Sequence, residues 1–219
     1  MSETPPLALE WTGTRDGRPE LLLAHGAGAD MRHEFLALTA AGLAARGLAV
    51  ARFNFPYTRR AQALGRSQPP DRMPVLVGCW REALAQRGSS PAPVVLAGKS
   101  MGGRAASMLL AEATPPGVRG GVWLGYPLHP AKKPQELRSA HLPRIAVPQL
   151  YVSGTKDPLC ELPLLEAALA PLGKRATLLR IEGGDHSLAT SRKDPMRDAA
   201  VWLDAVAQFV REVSSRPAP

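Results

Sequence analysis

A short apolar run that ends in a glycine-flanked serine constrains the fold more than any other segment. The run Val94-Val95-Leu96-Ala97 has the length and the β-branching of a buried strand. It leads into Gly98-Lys99-Ser100-Met101-Gly102, and a helix is predicted from 102 to 112. Gly-x-Ser-x-Gly between a strand and a helix is typical of a sharp turn that exposes a serine above a parallel sheet. The segment therefore predicts serine-dependent acyl chemistry.

The Gly-Lys-Ser within this segment also resembles the end of a phosphate-binding loop. That motif requires a glycine five positions before Gly98. The residue there is Pro93, which has no backbone N–H to offer to a phosphate. The nucleotide-binding interpretation is therefore disfavoured.

The 219 residues are enough for one domain with a substantial core. We expect a single domain over 1–219, with flexible tails at about 1–6 and 214–219. No segment approaches the roughly 18 uninterrupted apolar residues of a membrane span, and no secretory signal is recognised at the start. Cys79 and Cys160 lie far apart, which predicts buried reduced thiols in a cytoplasmic protein. No metal or other cofactor is expected.

The formal net charge of +8 raises the question of a nucleic-acid partner. The basic residues are scattered, and the densest pairs are Arg59-Arg60 and Lys132-Lys133. No basic run is interleaved with aromatic residues, so a solvated basic surface is favoured over nucleic-acid binding. Attraction of an anionic substrate stays open, and the oligomeric state is not predicted.

Short strands alternate with helices along the chain. Helices are predicted at 30–46, 73–87, 102–112, 159–172 and 198–213, and a proline-rich loop precedes residue 73. Strands are predicted at 7–11, 21–25, 48–53, 94–97, 121–126, 148–153 and 176–181. This alternation predicts an α/β fold with a mostly parallel sheet covered by helices on both faces.

Candidates for the base and the acid that a serine nucleophile needs follow two later strands. His186 lies in a glycine-flanked turn after the strand 176–181, and Asp157 follows the strand 148–153. The carboxyl ends of parallel strands meet at one sheet edge, where Ser100 is also expected. Glu161 and Asp185 are the alternatives to Asp157, which is favoured by its position directly after a strand.

An oxyanion hole is predicted from two backbone amides. His25-Gly26-Ala27-Gly28 leaves a strand, and its backbone can aim the amide of Ala27 at a developing negative charge. The amide of Met101, at a helix N-terminus, would be the second donor. His25 is interpreted as a structural residue that holds this loop.

Taken together, these motifs resemble the α/β-hydrolases, specifically the small dienelactone-hydrolase-related branch. That branch includes bacterial hydrolases and the hydrolase-like domain of an animal chromatin-complex subunit. The resemblance covers residues from about 20 to 212. It rests on His25-Gly26-Ala27-Gly28-Ala29, Arg52-Phe53-Asn54-Phe55-Pro56-Tyr57, Gly98-Lys99-Ser100-Met101-Gly102-Gly103-Arg104, Tyr126-Pro127-Leu128-His129-Pro130, Gly154-Thr155-Lys156-Asp157 and Gly184-Asp185-His186-Ser187. Dienelactone hydrolases proper carry cysteine at the elbow, where this chain has Ser100, so the resemblance implies the fold more firmly than a substrate.

Four residues are candidates for substrate binding. Lys99 and Arg104 could favour an anionic acyl group, the alternatives being a solvated Lys99 and an Arg104 held in a structural ion pair. Asn54 and Tyr57 belong to a loop that could form a pocket wall. The irregular insertion at 127–147 is too short for a full lid, which predicts a minimal cap and an open site.

The leading prediction is a metal-independent serine hydrolase of small carboxylic esters, or of thioesters, that uses Ser100, His186 and Asp157. The alternative is a non-enzymatic hydrolase-fold module that binds a protein or a nucleic acid through its basic surface.

Overall fold

The structure is a computed structural model and describes residues 4–216, so residues 1–3 and 217–219 of the predicted tails lie outside it. Its strands are β1 (Glu10–Thr12), β2 (Glu20–Ala24), β3 (Ala49–Phe53), β4 (Val94–Lys99), β5 (Val118–Leu124), β6 (Gln149–Gly154) and β7 (Ala176–Ile181). Its α-helices are α1 (Glu34–Ala44), α2 (Pro56–Leu64), α3 (Met73–Arg87), α4 (Met101–Glu112), α5 (Leu162–Leu169) and α6 (Ala199–Ser214). Short 3-10 helices cover Leu142–Arg144 and Ala170–Arg175.

The seven strands form one sheet in the order β1-β3-β2-β4-β5-β6-β7. Every neighbouring pair is parallel except β1 with β3, which is antiparallel. The central strands β2, β3 and β4 are buried at every position, as expected when helices cover both faces. The predicted α/β fold with a mostly parallel sheet is confirmed.

Two hydrophobic layers, one on each face of the sheet, form the core. Because strand side chains alternate, Leu21 and Leu23 of β2 pack in one layer, and Leu22 packs in the other. The first layer includes buried residues of α1 and α6, and the second includes those of α3 and α4. Helices α1 and α6 therefore share one face of the sheet.

Helix α2 was missed by the sequence analysis, which placed a loop before residue 73. The helix has the start and stop that short helices use, with Pro56 in its first turn and Gly65 in the left-handed conformation at its end. Its composition is polar, and its buried residues are Tyr57, Thr58 and Arg59, so no apolar run marked it as a helix.

Two other predicted helices begin later than expected. Helix α1 begins at Glu34 and not near Asp30, because the side chain of His33 accepts the N–H of Phe35 as the helix cap. Helix α5 begins at Leu162, where Pro163 fits the first turn.

The guanidinium of Arg59 donates to the Pro5 carbonyl over 2.9 Å, within the predicted N-terminal tail. Helix α6 extends to Ser214. Residues 127–147 contain one 3-10 turn and are otherwise irregular, as predicted. Among residues 4–216, no helix has both the length and the apolar character needed to cross a membrane.

Candidate active site

Ser100 occupies a strained turn between β4 and α4. Its backbone has φ 50° and ψ −118°, a conformation that residues with a Cβ rarely adopt. Three glycines make the turn possible. A Cβ on Gly102 would lie 2.5 Å from the carbonyl oxygen of His25, and one on Gly103 would lie 2.7 Å from that of Gly98. A Cβ on Gly98 would overlap the backbone of Gly103. Close packing of strand and helix therefore exposes the serine at the sheet edge.

A chain of hydrogen bonds links Ser100, His186 and Asp157. The Oγ of Ser100 lies 2.8 Å from Nε2 of His186. On the other side of the imidazole, Nδ1 lies 2.8 Å and 3.0 Å from the two carboxylate oxygens of Asp157. With Nδ1 protonated and donating to the carboxylate, Nε2 is free to accept the serine proton. The three residues thus have the geometry of a nucleophile, a base and an orienting acid.

The carboxylate of Asp157 is fully buried and held by its own loop. The N–H of Leu159 donates to Asp157 Oδ1 over 2.8 Å in an Asx turn. The rival Asp185 is exposed and accepts the N–H groups of Ser187 and Ala189. Glu161 stands at the start of α5. The carboxylate that contacts the imidazole is therefore that of Asp157.

The His186 loop reaches Ser100 by crossing the end of β5 at Gly125. This glycine has φ 61°, and a Cβ there would lie 2.5 Å from the carbonyl oxygen of His186. The sequence analysis did not identify Gly125 as part of the site. The predicted strand 121–126 included Gly125, whereas β5 ends at Leu124 and leaves Gly125 in the loop that follows.

The two predicted oxyanion donors, the amides of Ala27 and Met101, lie close to Ser100. Ala27 lines that cleft, and Met101 begins α4 next to the serine. Within residues 4–216, neither amide donates to another protein group. Both N–H groups are therefore available to a ligand.

His25 supports the loop that carries Ala27. Its Nε2 accepts the N–H of Phe55 over 3.2 Å, so Nδ1 carries the proton and donates to the Gly26 carbonyl over 2.8 Å. Burial lowers the pKa of His25 to about 4, which keeps the ring neutral near pH 7. These contacts give His25 a role in holding the loop and not in accepting a substrate proton.

Lys99 and Arg104, the two cations predicted at the substrate, match neither alternative, a solvated Lys99 or an ion-paired Arg104. Lys99 is buried at 8% exposure and lines the cleft, so it is not solvated. Burial lowers the pKa of its ammonium group to about 8, against the opposing effect of Asp157 and Asp185. Arg104 is half-buried, and it forms no ion pair with any residue that the structure describes. Burial lowers the pKa of Arg104, while nearby Tyr126 opposes this.

The structure does not bring Asn54 and Tyr57 into the cleft of Ser100. The side-chain oxygen of Asn54 accepts the N–H of Met31 over 2.7 Å. The hydroxyl of Tyr57 donates to the Gly26 carbonyl over 3.4 Å. Both residues support the loop after β2 from behind.

The cleft itself has a volume of about 320 Å³. Besides Ser100 and His186, its walls include His33, Phe35 and Leu159, which the sequence analysis did not single out as site residues. Phe35 carried a signal only as a predicted core position of α1. Nothing local to His33 or Leu159 indicates a wall of this cleft, because their proximity to Ser100 arises from the packing of separate loops.

Neither cysteine lines the cleft of Ser100. Cys79 and Cys160 are free and buried, as predicted, and burial raises the pKa of each thiol to about 12. Across residues 4–216, no three His, Cys, Asp or Glu side chains are grouped to hold a metal ion.

Comparisons with known proteins agree with this architecture. The alpha/beta hydrolase domain family matches residues 17–214. A dienelactone hydrolase from Anabaena variabilis is 24% identical, with 94% of this chain and 89% of that chain covered and a TM-score of 0.68. Est1E from Butyrivibrio proteoclasticus, in a structure with bound ferulic acid, is 14% identical, with 96% of both chains covered and a TM-score of 0.73. A serine hydrolase without a lid from Xanthomonas campestris is 18% identical, with 98% of this chain and 93% of that chain covered and a TM-score of 0.68.

The fold and the comparisons define a single-domain α/β protein of the hydrolase class. The chain belongs to the alpha/beta hydrolase domain family. The superfamily predicted from the sequence motifs is thereby confirmed.

Proposed function

We propose that this protein is a serine hydrolase that cleaves small carboxylic esters, and thioesters less readily, through an acyl-enzyme. The observation that carries the proposal is the position of His186 between Ser100 and Asp157, with hydrogen bonds of 2.8 Å on both sides. A serine hydroxyl is a weak nucleophile near pH 7 unless a base removes its proton. This geometry supplies that base.

In the first half of the reaction, Ser100 Oγ attacks the ester carbonyl carbon as its proton passes to His186 Nε2. Asp157 stabilises the imidazolium that forms and keeps the ring oriented. The tetrahedral intermediate then collapses, and the alcohol leaves with the proton from Nε2. In the second half, Nε2 takes a proton from water, the hydroxide attacks the acyl-enzyme carbonyl, and the carboxylic acid is released as Ser100 regains its proton.

We assign the stabilisation of the negative charge on the tetrahedral oxygen to the backbone amides of Ala27 and Met101. Each donor of this kind typically contributes about 100- to 1000-fold in rate. Both amides lack a partner in the part of the chain that the structure describes, and one belongs to the first turn of a helix, where the backbone dipole favours negative charge.

A small-molecule acyl substrate fits the open character of the site. The insertion 127–147 contains only one short 3-10 turn, and a related lidless hydrolase has the same overall fold. The buried ammonium of Lys99 in the wall of the cleft favours substrates that carry a negative charge on the acyl group. Arg104, the other predicted cation, does not line this cleft and lies near Tyr126 and Arg138, so the preference for a negative charge is assigned to Lys99.

The proposal is tested by labelling with a fluorophosphonate, which reacts with activated serines. We expect stoichiometric labelling of the wild type and none of Ser100→Ala. Asp157→Asn is expected to slow hydrolysis of p-nitrophenyl acetate by about 10³- to 10⁴-fold, because the imidazole loses its orienting carboxylate. Asp185→Asn is the matched control, since this exposed neighbour of His186 keeps its hydrogen-bond acceptor and should change the rate by less than about threefold.

A folded wild type that resists labelling would contradict the proposal. The fold would then serve as a binding module for a protein or a nucleic acid, the alternative that the net charge of +8 raises, and the relation to the animal chromatin-complex subunit would become the leading prediction to test.

A further inference from the structure

A second cleft adjoins the one that contains Ser100. It lies between α1 and the segment 185–196, which leads to α6 on the same face of the sheet, and has a volume of about 400 Å³. His33, Phe35 and Ser187 line both clefts. The two clefts are therefore neighbours on the surface, and we refer to them together as the α1 groove.

The exposed surface of the far part of the α1 groove is mostly apolar, although polar and charged side chains also line it. Leu38 projects from α1 at 42% exposure and is among the few large hydrophobic residues exposed in the described chain. Ala189, Pro195 and Met196 form the opposite wall. Apolar side chains that line a concave cleft are available to an apolar ligand, which would cover their exposed surface.

The groove is anchored on the core. The ring of Phe35 stacks on Trp202 of α6, with ring centroids 5.8 Å apart. Trp202 itself is 2% exposed. Phe35 is thus held in place by buried packing, and the groove has one rigid wall before any ligand arrives. The charged residues of the far part, including Glu34, Arg192 and Asp194, are exposed and stand at the rim.

We infer that the α1 groove binds the hydrocarbon part of the ester substrate. This inference rests on the proposed function and deepens it, because it identifies the substrates as esters with an extended apolar chain. Transfer of one methylene from water to such a groove increases binding roughly fourfold, so each added carbon should raise kcat/KM until the chain passes the end of the groove.

The experiment uses two series of esters and a matched pair of variants. One series lengthens the acyl chain from acetate to decanoate on p-nitrophenol, and the other lengthens the alcohol of acetate esters, so that the two arms distinguish which side of the ester enters the groove. Leu38→Asp places a charge in the groove. Val75→Asp is the control, because Val75 is 45% exposed on α3, on the opposite face of the sheet, and is absent from the groove lining.

In the wild type we expect kcat/KM to rise by about two- to fourfold per methylene in one of the two series. Leu38→Asp should lower kcat/KM for the longest good substrate by about tenfold or more, and that for the acetyl ester by less than about twofold. Val75→Asp should change neither. Flat profiles in both series, or equal losses in the two variants, would overturn the inference.

The two proposals fail in different ways. Labelling of Ser100 and hydrolysis of the acetyl ester do not require the groove, so their absence would remove the proposed function itself. A labelled and active enzyme whose kcat/KM does not depend on chain length would contradict only the assignment of the groove.

Discussion

The strained backbone of Ser100 predicts an unusual stability effect of two substitutions at one position. Ser100→Ala and Ser100→Gly both remove the hydroxyl and its 2.8 Å hydrogen bond to His186. They differ in the backbone, because φ 50° and ψ −118° is costly for alanine and readily adopted by glycine. The comparison of the two variants therefore isolates the strain stored at the turn.

The magnitude follows from two opposing contributions. A non-glycine residue in such a region costs about 1–3 kcal/mol in the folded state. Glycine in turn makes the unfolded chain more flexible, which costs about 0.4–1 kcal/mol of stability. Ser100→Gly should thus be more stable than Ser100→Ala by about 1–2 kcal/mol, equivalent to a melting temperature higher by about 4 °C for a chain of this size.

Thermal and urea unfolding of both variants provide the measurement. Ser107, in the interior of α4, supplies the control, because its glycine variant should be less stable than its alanine variant by about 1 kcal/mol. The sign of the difference is therefore opposite at the two positions. If Ser100→Gly is no more stable than Ser100→Ala, the argument that this turn stores strain is refuted.

Three further predictions concern the surroundings of the serine. Gly102→Ala should lower the free energy of unfolding by about 3 kcal/mol, because the added Cβ would lie 2.5 Å from a carbonyl oxygen. Gly78→Ala in α3 is the control, since its Cβ meets no atom within 4 Å and the variant should be neutral or slightly stabilised. Equal effects of the two substitutions in urea titrations would contradict the packing argument. The pKa of His25 is about 4 in the folded protein and ordinarily 6.5, so the unfolded state binds the proton first as pH falls. The free energy of unfolding should therefore decrease by about 2 kcal/mol between pH 7 and pH 5. Denaturation of the wild type at both pH values measures this loss, and a His25→Asn variant, which lacks the titrating group, is the control. Lys99→Met should reduce kcat/KM about tenfold more for a carboxylate-bearing ester than for a neutral ester of the same length, and an equal reduction on both esters would dismiss an electrostatic role for the buried ammonium.

Local sequence pattern identified those parts of the site that depend on one strand and the residues after it. Ser100, Asp157 and His186 each follow a short apolar run, and parallel strands bring such positions to one edge of a sheet. The glycines at 98 and 102 were likewise visible from the motif alone.

Features that depend on the packing of distant segments could not be predicted in this way. The burial of Lys99 depends on the loops that surround the end of β4, and helical or strand periodicity does not report such contacts. Asn54 and Tyr57 were expected at the substrate, yet they contact the back of the loop after β2. Helix α2 was missed because its composition is polar and because the residues that it buries, Tyr57, Thr58 and Arg59, include two polar side chains.

The amino-acid order alone determined the class of fold and identified Ser100 and His186, with Asp157 favoured among three carboxylates, because hydrophobic periodicity and strand ends are local properties. The tertiary structure decided which carboxylate meets His186, where the two cationic side chains lie, and that a second cleft lies next to that of the serine, between α1 and the segment before α6. These features depend on loops that are far apart in sequence and are brought together only when both faces of the sheet are packed.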